Sequence, residues 1–186
     1  RGRDLDRELR AHRAAEAGFR AGASEYEIHL AYCRAAGARE EELPYNNIIA
    51  FDTHAAVLHY QVLDRQRPAG VKSFLIDAGV QHAGYACDIT RTYAAAPGAF
   101  QDLITALDTA QKALADRVRP GVDYREIHLE AHRAVAAILV SQGLVSGSAE
   151  AAFETGLTSV FFPHGIGHLL GLMVHDNEQI VAVGSG

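Results

Sequence analysis

Cysteine is scarce in this chain: its 186 residues include only Cys33 and Cys87. Two cysteines cannot build a disulfide framework. No apolar run approaches the roughly 20 residues of a membrane span. The opening stretch RGRDLDRELRAHR is charged and has no apolar signal-peptide core. These absences lead us to expect a cytoplasmic protein with no membrane partner. Basic residues are the minority, 17 against 23 acidic, for a net charge of −6. With no basic stripe, nucleic acid is a poor candidate partner. We find no internal repeat and no low-complexity segment. Three catalytic signatures are missing as well. There is no GxSxG elbow. There is no GxxxxGK[ST] phosphate loop, and HGIGH lacks the glutamate of HExxH.

What the chain does have is histidine, ten in all. His12, His29, His128 and His132 fall in helical patterns and are expected at the surface. Three others crowd into FPHGIGHLLGLMVHD, as His164, His168 and His175. Alone, that stretch fits a metal site, a set of proton-handling groups, or a core segment.

The pattern of elements points to one α+β domain with helices on one side of an antiparallel sheet. Residues 4–21 read as a solvent-facing helix. Ser24 with Glu27 forms a capping-box pattern that opens a second helix ending near Gly37. A charged loop spans 39–43. Short strands are predicted at 48–51, 57–60, 74–78 and 87–93. After Pro97 and Gly98, Phe100, Leu103, Ile104, Leu107, Leu114 and Val118 keep a helical period. Asp123 and Glu126 begin another helix, with Ile127, Ala131, Val135, Ile138 and Leu139 as its buried stripe and a stop at Gln142–Gly143. More strands are expected from Leu157 onward.

The sharpest clue is FLIDAGVQHAGYACDITRTY. Folded about His82 and Ala83, it places Asp77 opposite Asp88. Directly opposed side chains lie about 4.5–5.5 Å apart at Cβ, where like charges repel. The run Phe74-Leu75-Ile76 makes the neighbourhood of Asp77 apolar. Two carboxylates there need a shared proton or a cation between them. A different register would leave one of them in solvent, and spacing alone does not decide. Thr90 and Thr92 share the face of Asp88, while Arg91 points away. Cys87 alternates to the core side.

Three runs then carry a family resemblance: PYNNIIAFDTHAAVLHYQ, SFLIDAGVQHAGYACDITRTY and FFPHGIGHLLGLMVHD. In that order they resemble the Xaa-Pro dipeptidases (prolidases), among the pita-bread metallopeptidases with aminopeptidase P and methionine aminopeptidase. The resemblance implies a pita-bread catalytic domain and two divalent metal ions, Mn or Co. Carried over motif by motif, it makes Asp77 a ligand of one metal, Asp88 the bridge and His168 a ligand of the other. His59, His164 and His175 match outer-shell histidines that contact substrate. The implied substrate is a small Xaa-Pro dipeptide, and a homodimer is allowed for. Alternatives are an aminopeptidase P-like or organophosphate-hydrolysing relative, or a non-catalytic homologue that binds a partner.

The sequence also departs from that family. Two glutamate ligands belong well downstream of the histidine motif, one in a segment resembling EPG. Here only Glu178 follows, in an unrelated context. We therefore expect residues 1–176 to be a partial catalytic domain without the separate N-terminal domain, and 177–186 to be an atypical tail. Weak metal binding, little or no hydrolysis, and an open sheet edge with exposed apolar surface are the expected consequences.

Overall fold

The computed structural model describes residues 2–175, with side chains from residue 6 onward. Asp176, Glu178 and the expected tail lie outside the described residues. The chain forms two compact units, one of residues 2–96 and 168–175, the other of residues 97–167.

The first unit begins with helices α1 (Gly2–Ala21) and α2 (Glu25–Ala36). Helix α1 is not simply a solvent-facing helix. Ala11, Ala15 and Phe19 are buried, as are Glu8 and His12. These positions recur every three to four residues, which makes one helix face. Its alanines let the helix sit close to its neighbours. Helix α2 starts as expected: Ser24 caps the Glu27 N–H and Glu27 reaches back to Ser24, while Gly37 closes the helix in the left-handed region.

Strands β1 (Ile48–Phe51), β2 (Ser73–Ala78) and β5 (Ile89–Ala94) form an antiparallel sheet in the order β1-β2-β5. Between them, β3 (Gln81–His82) and β4 (Tyr85–Ala86) make a small ribbon. Side chains alternate across a strand. Ile49, Phe51, Phe74, Ile76 and Ala78 therefore share one face, and all are buried. Helices α1 and α2 cover that face. Phe19 of α1 lies 5.1 Å from Phe74 and 5.9 Å from Phe51, ring centre to ring centre. The opposite face presents Leu75, Asp77, Thr90 and Thr92. One-sided helices on an antiparallel sheet are the arrangement predicted.

No strand forms at 57–60. Residues Asp52–Ala56 make a 3-10 turn, and His59 sits exposed in a following turn with φ +54°. The run Val57-Leu58-His59-Tyr60 has no strand beside it. The stretch is held instead by the buried Glu25 carboxylate, described below, through its flanking Phe51 and Asp64 N–H groups and the Tyr60 hydroxyl. The expected charged loop at 39–43 is a short 3-10 turn, Glu40–Glu42.

The second unit contains α3 (Ala99–Arg117), α4 (Tyr124–Ser141), α5 (Ala149–Glu154) and α6 (Thr158–Phe161). Asp123 caps α4 by accepting from the Arg125 N–H. Ile127, Ala131 and Leu139 are buried as predicted. His132 and Ala136 replace Val135 and Ile138 in the buried set, a small rotation of the helix. The apolar stripe of α3 has no fully buried residue. The strands expected after Leu157 do not form among the described residues. Short helices and irregular chain stand there instead, because four glycines, Gly156, Gly165, Gly167 and Gly171, interrupt any continuous pairing.

Histidine placement also departs from expectation. His12, His29 and His132 are buried rather than at the surface. Each finds a polar neighbour that lowers the cost of burial: Glu8 for His12, Asn47 for His29 and Thr158 for His132. Among the described residues no helix is long and apolar enough to cross a membrane.

Candidate metal centre

The turn between β3 and β4 decides the geometry of the acidic pair. It consists of Ala83 and Gly84, with φ of +48° and +87°. Positive φ at both positions is the two-residue hairpin turn whose twist matches the strands. Gln81 then pairs with Ala86, and Asp77 with Thr90 rather than with Asp88. The expected direct opposition of the two aspartates is corrected. Moving a turn by one residue moves every cross-strand partner by two, which preserves the face. Asp77 and Asp88 are thus diagonal neighbours on the same side of the hairpin, within reach of each other.

Gly79 makes this close approach feasible. A Cβ at residue 79 would lie 1.8 Å from the Cys87 carbonyl oxygen. Just beyond, the Cys87 N–H donates to the Val80 carbonyl at 2.9 Å. Gly79→Ala should push residues 87–88 off β2 and separate the carboxylates. We expect it to destabilise the fold by about 1–3 kcal/mol, as overpacking does. A urea midpoint within error of the parent would contradict this.

Tyr45 joins the pair from the chain before β1. Its Oη lies 2.8 Å from Asp77 Oδ1 and 2.7 Å from Asp88 Oδ1. One hydroxyl proton serves two carboxylates, so the group is short of positive charge. Burial pushes the Asp77 carboxyl above the usual carboxylate range, and the neighbouring Asp88 adds to the shift. Hydrogen bonds from Tyr45 and Thr90 pull it back. Burial and the same two acids push the Tyr45 phenol far up, so it remains a hydrogen-bond donor. His168 completes the cluster, with Nε2 3.0 Å from Asp88 Oδ2. The Ala86 N–H donates to the Gly171 carbonyl at 2.9 Å, which ties the histidine segment to β4. The His175 ring stacks on His168, centroids 4.1 Å apart.

Of the residues singled out in the sequence, Asp77, Asp88, His168 and His175 are therefore brought together. His59 is exposed on its turn, and His164 is exposed in the second unit. Tyr45 was missed as a contributor. It lies within a quoted motif, but nothing in its spacing marks it as a partner of two aspartates more than thirty residues away.

The raised Asp77 pKa has a testable sign. A carboxyl with its folded pKa above the unfolded value stabilises the fold fully below the unfolded pKa of about 3.9. That contribution is lost as pH rises through the folded value. In chelator-treated protein, stability from this group should fall with rising pH, and Asp77→Asn should remove that fall. Tyr45→Phe deletes a hydrogen bond that favours the carboxylate, so it should move the loss to higher pH. Urea midpoints between pH 4 and 8 measure both, and identical profiles for parent and Tyr45→Phe would refute the assignment.

A second cluster surrounds Glu25, which is fully buried. Ligand-type atoms of Glu25, His54 and Asp64 lie within 4.8 Å of one another, close enough to hold an ion. The glutamate is already occupied, however. Its Oε1 accepts from the Phe51 N–H at 2.8 Å and from His54 Nδ1 at 2.8 Å. Its Oε2 accepts from Tyr60 Oη at 2.8 Å and the Asp64 N–H at 2.9 Å. Four donors fill the four lone-pair sites of a carboxylate. We read this cluster as a structural tether for residues 51–64.

Residues 6–185 match the sequence profile of metallopeptidase family M24. The chain belongs to that family. As an M24 member it is 57% identical over 179 residues to an Xaa-Pro dipeptidase of Xanthomonas oryzae pv. oryzae, covering 96% of this chain and 41% of the relative. It is 51% identical over 179 residues to the Xaa-Pro dipeptidase of Stenotrophomonas maltophilia, covering 96% of this chain and 40% of the relative. Among solved structures it resembles zinc-substituted Escherichia coli aminopeptidase P in complex with product, with TM-score 0.84 and 28% identity, over 94% of this chain and 40% of that one. The low-pH form of the same enzyme matches equally, with TM-score 0.84. The M24 chain thus spans about two fifths of the length of these relatives and shares their pita-bread fold.

Proposed function

We propose that this chain is part of a metal-dependent peptidase that cleaves Xaa-Pro dipeptides. The observation that carries the reading is the convergence of Asp77, Asp88 and His168 beneath Tyr45. Half-buried carboxylates in mutual repulsion, beside an imidazole, suit one or two hard-to-borderline divalent cations such as Mn²⁺ or Co²⁺. Such cations, when bound, supply Lewis acidity and acidify a water near neutral pH. In this reading Asp77 and His168 would each serve as ligand to a cation, and Asp88 would be shared between the cations. Tyr45 and Thr90 orient the carboxylates. His59, His164 and His175 bind substrate and donate to the peptide carbonyl as charge develops on it. Cys33 and Cys87, both unpaired and half-buried, fit a reducing cytoplasmic compartment.

Three donors among the described residues are few for a two-metal centre, so we expect this chain alone to bind Mn²⁺ weakly and to hydrolyse little. Elemental analysis after dialysis tests the first point. Hydrolysis of an Xaa-Pro dipeptide (read as free proline), of a longer peptide beginning Xaa-Pro (read as its freed N-terminal residue) and of a phosphotriester (read as its freed alcohol) tests the substrate class. Near-stoichiometric Mn²⁺ with rapid dipeptide turnover would refute the expectation of weakness. Turnover of the longer peptide alone would favour the aminopeptidase P reading, which the solved structures support. No change in metal affinity on altering Asp88 would leave the non-catalytic homologue.

A further inference from the structure

Helix α4 carries two imidazoles that the peptidase reading does not use. His128 and His132 stand four residues apart, which puts them on one helix face. His132 is buried, and its Nδ1 lies 2.8 Å from Thr158 Oγ1. Its Nε2 lies 3.2 Å from the Nε2 of His128. Phe162 packs against both rings, centroids 5.0 Å from His132 and 5.8 Å from His128. The Nδ1 of His128 is buried and has no hydrogen-bond partner among the described residues.

We propose that His128 and His132 form a second metal site, a two-imidazole chelate for a divalent transition cation of the zinc, nickel or copper type. Two imidazoles on one tetrahedral cation, with metal–nitrogen bonds of about 2.0–2.1 Å, have their nitrogens about 3.3 Å apart. The observed separation of the two Nε2 atoms is 3.2 Å. Thr158 favours the tautomer needed. When its hydroxyl oxygen accepts from His132 Nδ1–H, the Nε2 of His132 is a free lone pair and the ring is held in orientation. His128 reaches the same state by carrying its proton on Nδ1, the atom with no acceptor among the described residues. Burial, with a smaller contribution from His128, holds His132 below the ordinary histidine range. Proton competition for the site is therefore weak at neutral pH. Imidazole pairs suit Zn²⁺, Ni²⁺ and Cu²⁺, whereas the carboxylate-rich centre suits Mn²⁺. A plain N–H···N hydrogen bond between the rings accounts for the same distance, and the experiment must separate the two.

Zn²⁺ titrated into the Asp88→Asn variant at pH 7.5 addresses this by calorimetry, because that background weakens the carboxylate centre. One Zn²⁺ site should persist there, and adding His128→Gln should weaken it at least tenfold. Thr158→Val should weaken it less. Imidazole ¹⁵N shifts in the Asp88→Asn variant should show Zn²⁺ on the Nε2 of both rings. This last measurement decides the matter even if His128→Gln does not fold. Equal Zn²⁺ affinity with and without His128, or ¹⁵N shifts of both rings unmoved by Zn²⁺, overturns the site. Failure of the peptidase reading would show separately, as Mn²⁺ binding indifferent to Asp88→Asn.

Discussion

Replacing Asp88 by Asn is expected to lower Mn²⁺ affinity by at least 10–100-fold. That range is typical for removing even an outer-shell partner of a metal ligand, so it is a lower bound of about that size for the direct ligand proposed here. The physical reason is that Asn keeps the shape and loses the charge. The same change removes the repulsion between Asp88 and Asp77 and frees Tyr45 to donate to a single carboxylate. Chelator-treated Asp88→Asn should therefore be as stable as the parent or more so. Affinity falling while metal-free stability holds is the signature of a site that gives up stability for function. If both fall together, Asp88 is a structural residue. If neither changes, Asp88 takes no part in holding the cation. Mn²⁺ affinity by calorimetry, paired with urea midpoints in chelator, separates the three outcomes.

Glu25→Ala is expected to destabilise the first unit by about 3–5 kcal/mol, the range for stripping one partner from a buried charged network. Four donors would lose their acceptor: the Phe51 and Asp64 N–H groups, His54 Nδ1 and Tyr60 Oη. Each buried donor left unpaired costs about 1–3 kcal/mol unless water reaches it. Natural domains have only about 5–15 kcal/mol in hand, so partial unfolding at 37 °C would not surprise. Glu25→Gln should fall between, since its single carbonyl oxygen still accepts. Thermal and urea denaturation measure the effect. A loss under about 1 kcal/mol for the alanine variant would show that residues 51–64 are held by something other than this carboxylate. The tethered stretch carries His59, so the same variant should also loosen the turn on which that histidine sits.

Much of the local structure was legible because its causes are local. Ser24 and Glu27 are three residues apart and cap one helix by themselves. Asp123 and the Gln142–Gly143 stop likewise bound α4 through near neighbours. The short apolar run at 74–78 was legible as a strand, now β2, because such a run has to be buried. Residues 57–60 also begin apolar, yet they form no strand. A strand requires a partner edge, and here the Glu25 carboxylate instead holds the stretch at its flanks, through the Phe51 and Asp64 N–H groups, and at the Tyr60 hydroxyl. Burial of His12, His29 and His132 was equally out of reach, because each depends on a polar neighbour from another turn or another element.

The candidate site divides along the same line. The sequence by itself marked Asp77 and Asp88 as candidate partners on one hairpin but left its register open; the turn at Ala83–Gly84 put them on one face. The sequence also placed three histidines in one short glycine-rich segment. Only the tertiary structure decided that Tyr45 lies between the carboxylates, that His168 reaches Asp88, and that His175 stacks on His168. Those contacts join chain segments separated by more than thirty residues, apart from the two histidines. Periodicity reports which way a side chain faces along its own element. It carries no information about what a distant segment brings to that face.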